Sequence, residues 1–212
     1  MRGFLELRGR TTTVSADERE DKLAIAEVIQ NWVLWRDGGN FKALRSTFHK
    51  DATMTSTWFS GPAEDFIARA EGRKPGGRSA HFAGGSSVRL NGDKALAETP
   101  MILMLRERID DIEVDVTCNG RFFDRFVRAD GQWCILRRGV IYEKDRLDPV
   151  RPDAVLKLDE TILARFPEGY RHIAYVQTKR GMAVATDRPT LPSPELDVLY
   201  READAWLAAP SD

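Results

Sequence analysis

From Ser15 onward the apolar side chains fall into two kinds of spacing, and the change from one to the other divides the chain. Leu23, Ala26, Ile29 or Gln30, Val33 and Asp37 recur at three- and four-residue steps, which predicts a long amphipathic helix. Ser15, with Glu18 three residues on, offers a capping box at its start, and Gly38-Gly39 supply the left-handed stop at its end. Asn40 caps a short second helix that carries Phe41, Leu44, Arg45 and Phe48 on one side and ends near His49. Residues 52–59 alternate and are rich in Thr, Met and aromatics, predicting a strand. Residues 62–71 return to helical spacing behind a proline start, and 72–78 form a Gly/Arg loop.

Beyond that loop the period is two. Residues 81–90 and 94–108 flank Asn91-Gly92-Asp93, a strong hairpin signal, and residues 114–128 and 133–143 flank Asp130-Gly131 in the same manner. Helices first and paired strands after indicate an α+β domain, with helices packed on one face of a curved antiparallel sheet. Gly84, Gly85 and Gly120 are the points at which such a sheet curls. After residue 145 the punctuation changes, since seven of the ten prolines but only two of the sixteen glycines lie there. Residues 152–166 are expected to be helical and 169–176 are rich in aromatics. Residues 195–208 form an amphipathic stretch through Leu196, Leu199, Tyr200, Ala203 and Leu207. Three parts are therefore expected: an N-terminal arm (1–16), the α+β domain (17–145), and a C-terminal extension (146–212) that packs on the domain or on a partner subunit, covering the domain's mouth.

Charge narrows the possible partners. Thirty-two Lys and Arg against 33 Asp and Glu leave a net charge of -1, which provides no field for nucleic acid or an anionic membrane surface. No apolar run approaches the roughly 18 to 20 residues needed to cross a bilayer, and the first thirteen residues are no secretory leader, so a cytoplasmic protein is expected. Cys118 and Cys134 form no CxxC pair, and His49, His81 and His172 are scattered, so no metal is expected. Gly76-Gly77 and Gly84-Gly85 lack the strand-to-helix setting of a phosphate loop, and no cofactor is expected either.

Two residues carry the candidate chemistry. Asp37 continues the inward face of the first helix into its last turn, where the macrodipole opposes an acid by a few tenths of a kcal/mol. His81 opens the first strand of the hairpin set. A carboxylate that fixes an imidazole's tautomer makes the other ring nitrogen a general base. The alternatives are a surface cap beside Gly38 for Asp37 and a histidine merely satisfied within its strand.

Three segments carry a family likeness: AIAEVIQNWVLWRDGGNFKALRSTFHKDATM, HFAGGSSVRLNGDKALAET and GRFFDRFVRADGQWCILRRGVIYE. In order and spacing they resemble the SnoaL-like branch of the nuclear transport factor 2 superfamily. The resemblance runs from residue 21 to about residue 142. It implies a cone of curved sheet wrapped by helices with a pocket at the open end, and assemblies of two or three copies. Scytalone dehydratase, bile-acid 7α-dehydratase and hexachlorocyclohexane dehydrochlorinase are similar in keeping an Asp at the end of the first helix and a His on a strand. By position these fall on Asp37 and His81, and an Arg used by the latter two enzymes falls on Arg138. Trp32 and Arg36 stand where the family has Tyr or Lys, which leaves the general acid open. Val33, Met54, Cys118 and Phe122 fall on pocket-wall positions, each equally readable as core.

The remaining polar candidates have two readings apiece. Asn119 and Arg121 alternate onto one face, either as polar pocket groups or toward solvent. Glu98 lines the cavity or sits at a strand edge. Asp124 pairs with Arg125 or Arg137, or with Arg138 as a structural bridge. His49 caps a helix. His172, in GYRHIAY, is read against a role in roofing a pocket. The resemblance then implies a cofactor-independent lyase that removes a carbon-bound proton from a hydrophobic, aromatic small molecule with loss of a neighbouring group, by dehydratase-like elimination or by retro-aldol release of formaldehyde. An isomerase or cyclase of the same family, and a non-catalytic ligand-binding or interaction module, are the alternatives.

Overall fold

The computed structural model describes residues 15–72 and 78–210. The expected arm, up to residue 14, and most of the loop at 72–78 lie outside them. Helix α1 (Ala16–Asp37) opens on the expected capping box: Ser15 Oγ accepts from the Glu18 N–H at 3.1 Å, and Glu18 Oε2 accepts from the Ser15 N–H at 3.2 Å. Its buried stripe is Ile25, Ile29, Trp32 and Val33. Helix α2 (Phe41–Arg45) follows, shorter than expected, because Phe48 and His49 already belong to strand β1 (Phe48–Thr55). His49 is therefore no helix cap; its Nδ1 accepts from the Asp51 N–H at 3.2 Å. The expected strand at 52–59 is cut by a turn at 56–59, after which β2 (Ser60–Pro62) folds back on β1 and leads into helix α3 (Ala63–Glu71).

The remaining strands are β3 (Arg78–Ala83), β4 (Ser87–Asn91), β5 (Lys94–Ile109), β6 (Ile112–Ala129) and β7 (Gln132–Pro149). The single strand expected at 81–90 is thus two. The chain breaks at Gly84, whose N–H bonds Pro100 O at 2.8 Å, and both pieces pair with β5. The two expected hairpins are one meander, because Asp110 and Asp111 take left-handed φ values of 46° and 67° and join β5 to β6 in a tight turn. The sheet order is β2-β1-β7-β6-β5-β3, and β1 runs parallel to β7, so the sheet is mixed rather than purely antiparallel. Register shifts at Asn119/Gly120 and Arg125/Phe126 bend β6 against β7. At the first of these a Cβ on Gly120 would lie 2.4 Å from Ile141 O, so only glycine allows the strands to approach this closely.

Strand β7 also outruns its expected end at 143, and the extension returns along it. Helix α4 (Glu160–Leu163) is all that is helical of the expected 152–166. Helix α5 (Arg171–Lys179) buries Ile173, Ala174, Tyr175 and Val176 in the same core as Trp32 and Phe122. The next segment takes the edge of β7 beyond β1, with the Tyr142 N–H bonded to Pro189 O and the Leu191 N–H to Tyr142 O. Helix α6 (Pro194–Ala208) then covers part of the outer sheet face through Leu196 and Ala203, packed on Leu96, Phe123 and Ile141. No helix among the described residues is long and apolar enough to cross a membrane.

Candidate active site

The last turn of α1 lies against β3, and this contact unites Asp37 with His81. One carboxylate oxygen, Oδ2, accepts the His81 backbone N–H at 2.6 Å; the other, Oδ1, lies 2.8 Å from the ring Nδ1. An ionised carboxylate only accepts, so Nδ1 carries the ring proton and Nε2 keeps its lone pair. The Trp32 indole meets the imidazole edge-on, with ring centroids 5.7 Å apart at 80°, and Phe122 lies 6.1 Å away. Burial among these rings pushes the His81 pKa below its ordinary 6.5. The hydrogen bond and charge of Asp37 resist that shift, while Arg36 and Arg138 add to it. The imidazole is consequently neutral at pH 7, as a base must be.

His81 lines a narrow cavity of about 80 Å³ inside the cone. Met54 and Phe122, expected in its wall, line it, and so does Trp32, which stands where the family has Tyr or Lys. Val33 and Cys118 are core residues behind the wall, and burial pushes the Cys118 thiol up. Asn119 is a correction: β6 alternation turns it to the outer sheet face, where it lines a separate groove with Glu98 and Arg121. There Arg121 donates to Glu98 at 2.7 Å, and Tyr200 of α6 donates to the same oxygen at 3.1 Å, so Glu98 does not reach the inner cavity. Met54, Met101 and Met182 lie in the inner wall, and such flexible side chains let a narrow cavity widen around a ligand.

Arg138 is occupied elsewhere. Its Nε and Nη2 donate to the two oxygens of Asp124 at 2.8 and 2.7 Å, and both side chains are fully buried. Complete burial pushes the Asp124 carboxyl up against the pull of this guanidinium. The guanidinium carbon lies 4.4 Å from the Trp32 ring centroid and 4.2 Å from that of Phe122, so Arg138 backs the aromatic wall rather than lining the cavity. The structural bridge to Asp124, not to Arg125 or Arg137, is what forms.

From the α1 side the cation that lines the cavity is Arg36, and Arg180 joins it from the extension. Its Nη1 donates to Ser79 Oγ at 2.9 Å and lies 3.5 Å from Asp37 Oδ1. Burial lowers its pKa from the ordinary value, against the charge of Asp37. A helical wheel already places Arg36 one turn beyond Trp32, and strand alternation places Glu107 in line with Leu103 and Leu105; both signals are present in the sequence. Tyr142 also lines the cavity; its hydroxyl oxygen accepts the Thr57 N–H at 3.1 Å, and burial raises its pKa. Ile173, Val176, Gln177 and Arg180 of the extension complete the wall, and Arg180 donates to Glu107. No short-range pattern announces these four, because their place depends on how the extension folds back.

His172 sits outside this cavity. Its Nδ1 lies 2.7 Å from Asp145 Oδ1, while Asp145 Oδ2 accepts the backbone N–H groups of His172 and Ile173, each at 2.7 Å. Asp145 thereby holds the N-terminus of α5 on β7. Among the described residues, no group of three or more His, Cys, Asp or Glu side chains could hold a metal ion.

Residues 17–139 match the model of the SnoaL-like domain. Pea pathogenicity protein 2 of Fusarium vanettenii is 32% identical over 199 residues, spanning 88% of this chain and 85% of that protein. A PEP2-like protein of the same fungus is 32% identical over 200 residues, with coverage of 88% and 85%. Among solved structures, a hexachlorocyclohexane dehydrochlorinase, LinA type 2, superposes with a TM-score of 0.52 at 14% identity, over 66% of this chain and 96% of that one, which is a likeness of fold.

Proposed function

Since the chain belongs to the SnoaL-like domain family and holds a neutral imidazole clamped by a carboxylate at an apolar cavity, we propose that it is a cofactor-independent lyase. The observation that carries this reading is the two-point grip of Asp37 on His81, which leaves Nε2 as the free base beside the cavity. In an elimination, Nε2 takes a proton from the carbon next to a carbonyl, the electron pair moves toward the carbonyl oxygen, and a hydroxyl on the following carbon departs. Asp37 stabilises the imidazolium that forms. Arg36, and not the Arg138 to which the family likeness points, holds the developing charge on oxygen, because it lines the cavity whereas Arg138 is bound to Asp124. The Tyr142 hydroxyl accepts from Thr57 and so has its own proton to give to the departing oxygen. With a hydroxymethyl group on the carbon next to the carbonyl, the same base removes the O–H proton, the carbon–carbon bond breaks with its electron pair moving to the carbonyl oxygen, formaldehyde leaves, and the imidazolium returns the proton to the enolate carbon.

The test is incubation with a panel of aromatic β-hydroxy ketones, including members with a hydroxymethyl group on the carbon next to the carbonyl, in water and in deuterium oxide, read by mass spectrometry and a formaldehyde assay. Loss of water or formaldehyde that disappears in His81→Ala supports the lyase reading. Deuterium uptake without loss of a group points instead to an isomerase. Turnover equal in His81→Ala, or binding of the panel without turnover, sinks the dyad as a catalyst.

A further inference from the structure

The cavity wall is apolar except at a few positions, and several of those polar groups lack partners. Trp32 Nε1, Arg36 Nε, Ser56 Oγ and Gln177 Oε1 are buried without a hydrogen-bond partner, and all four residues line the His81 cavity. An unpaired buried polar atom is destabilising, so a group of them around one cavity is expensive unless something entering it completes them. Gln177 is the most telling member. It is only 6% exposed, it sits in α5 between Ile173 and Arg180 on the face turned to the cavity, and its side chain caps neither a helix end nor a turn. It also lies outside the span matched by the family model, so the shared fold does not account for it.

We propose that Gln177 determines specificity: its amide receives a hydroxyl group carried on the apolar body of the ligand, so the extension reads the substrate while the cone transforms it. The inference rests on the cavity being the substrate pocket, but not on the dyad being catalytic. A hydroxyl both donates and accepts, and therefore completes an amide in either orientation. A ligand ammonium would face the guanidinium groups of Arg36 and Arg180 in the same wall, and a carboxylate has no proton to give to Oε1. A ligand with methyl in place of hydroxyl fills the space and leaves the amide unpaired.

The probes are 4-hydroxyacetophenone and 4-methylacetophenone, titrated against the full chain and followed by tryptophan fluorescence. The wild type should prefer the hydroxylated probe about tenfold or more, the equivalent of about 1.4 kcal/mol. Gln177→Met should bring the two affinities within about twofold, with the methyl probe bound as well as by the wild type or better; a misfolded variant would lose both. Gln177→Glu, which keeps the shape and an acceptor, should retain a preference, and so should His81→Ala, whatever becomes of its turnover. Equal affinities in the wild type, including binding of neither probe, would overturn the proposal, as would a preference that persists in Gln177→Met. A water molecule serving the amide permanently would produce the first of these outcomes. Should Gln177→Met not fold, Gln177→Leu carries the same expectation and the same refutation.

Discussion

The same bonding pattern occurs twice in this chain, and the two copies are built for different ends. In both, one carboxylate takes the backbone N–H and the ring Nδ1 of a single histidine: Asp37 with His81, 44 residues apart, and Asp145 with His172, 27 apart. The distances are nearly equal, at 2.8 and 2.7 Å for the ring contacts. What differs is the partner that is buried. In the first pair the imidazole is 8% exposed and its carboxylate 17%; in the second the carboxylate is fully buried and the imidazole 19% exposed. The first histidine lines a cavity, and burial depresses its pKa. The second carboxylate spends its extra capacity on the Ile173 N–H and anchors a helix. The same clamp thus occurs twice, and of the two only that of His81 stands at this cavity.

The comparison is broken most directly by removing each imidazole. His81→Ala should lower turnover by about 10²- to 10⁴-fold, whereas His172→Ala should stay within about twofold of wild type; equal losses would erase the distinction. Stability is expected to follow the buried charges instead. Arg138→Met leaves Asp124 alone in the core and should cost about 3–5 kcal/mol in urea denaturation, and a smaller loss would mean that the carboxyl is neutralised cheaply. Asp145→Ala should cost less, about 1–3 kcal/mol, with faster amide exchange confined to α5, while Asp37→Asn should cut turnover with little change in that exchange.

The smallest effect concerns pH. Because the folded His81 pKa lies below 6.5, the acid limb of kcat/KM should have its midpoint below pH 6.5, and a midpoint above 7 would exclude this imidazole as the base. For stability the sign follows from proton uptake: below pH 6.5 the unfolded chain protonates first, so this group erodes stability as pH falls, until the folded imidazole protonates too. Above about pH 7 both states are neutral and the effect vanishes. His81→Asn should flatten that acid-side decline in a series of urea denaturations from pH 7 downward, and an unchanged decline would assign it to other groups.

How much of this was legible in the chain depends on the range of the interaction. Helix α1, its capping box, the glycine stop and the alternation of β5 and β6 are local, and periodicity shows them. The β5–β6 turn was missed because Asp110-Asp111 lacks a glycine, although Asp tolerates left-handed φ better than most residues. The parallel pairing of β1 with β7 leaves no mark in either strand's pattern. Asp37 and His81 stood out by their places and their chemistry, an acid ending an inward helix face and a histidine opening a strand, and the family likeness chose between that pairing and a cap or a satisfied strand histidine, since no spacing rule joins residues 44 apart. Asn119 was misplaced because alternation on β6 gives two faces without saying which is inside. Arg138 and Asp124 face each other across β6 and β7 only because a register shift intervenes at Arg125/Phe126. Gln177 as a cavity-wall residue and Asp145 as an anchor were illegible, because the place of both depends on the fold-back of the extension.

The parallel strand β1 also has a bearing on how the molecule comes to exist. Its partner β7 is among the last strands made; Thr57, just past β1, waits 85 residues for the Tyr142 hydroxyl, and Ser56 waits 132 for Arg188. During synthesis the N-terminal helices emerge early beside a strand paired on one edge by the short β2 and open on the other, so non-local closure should dominate the folding rate. Until β7 pairs, an unprotected edge is open to the wrong partner. A nascent chain halted before α5 would carry both Asp37 and His81 and no roof above them, so the interior stays wet until the final stage of assembly.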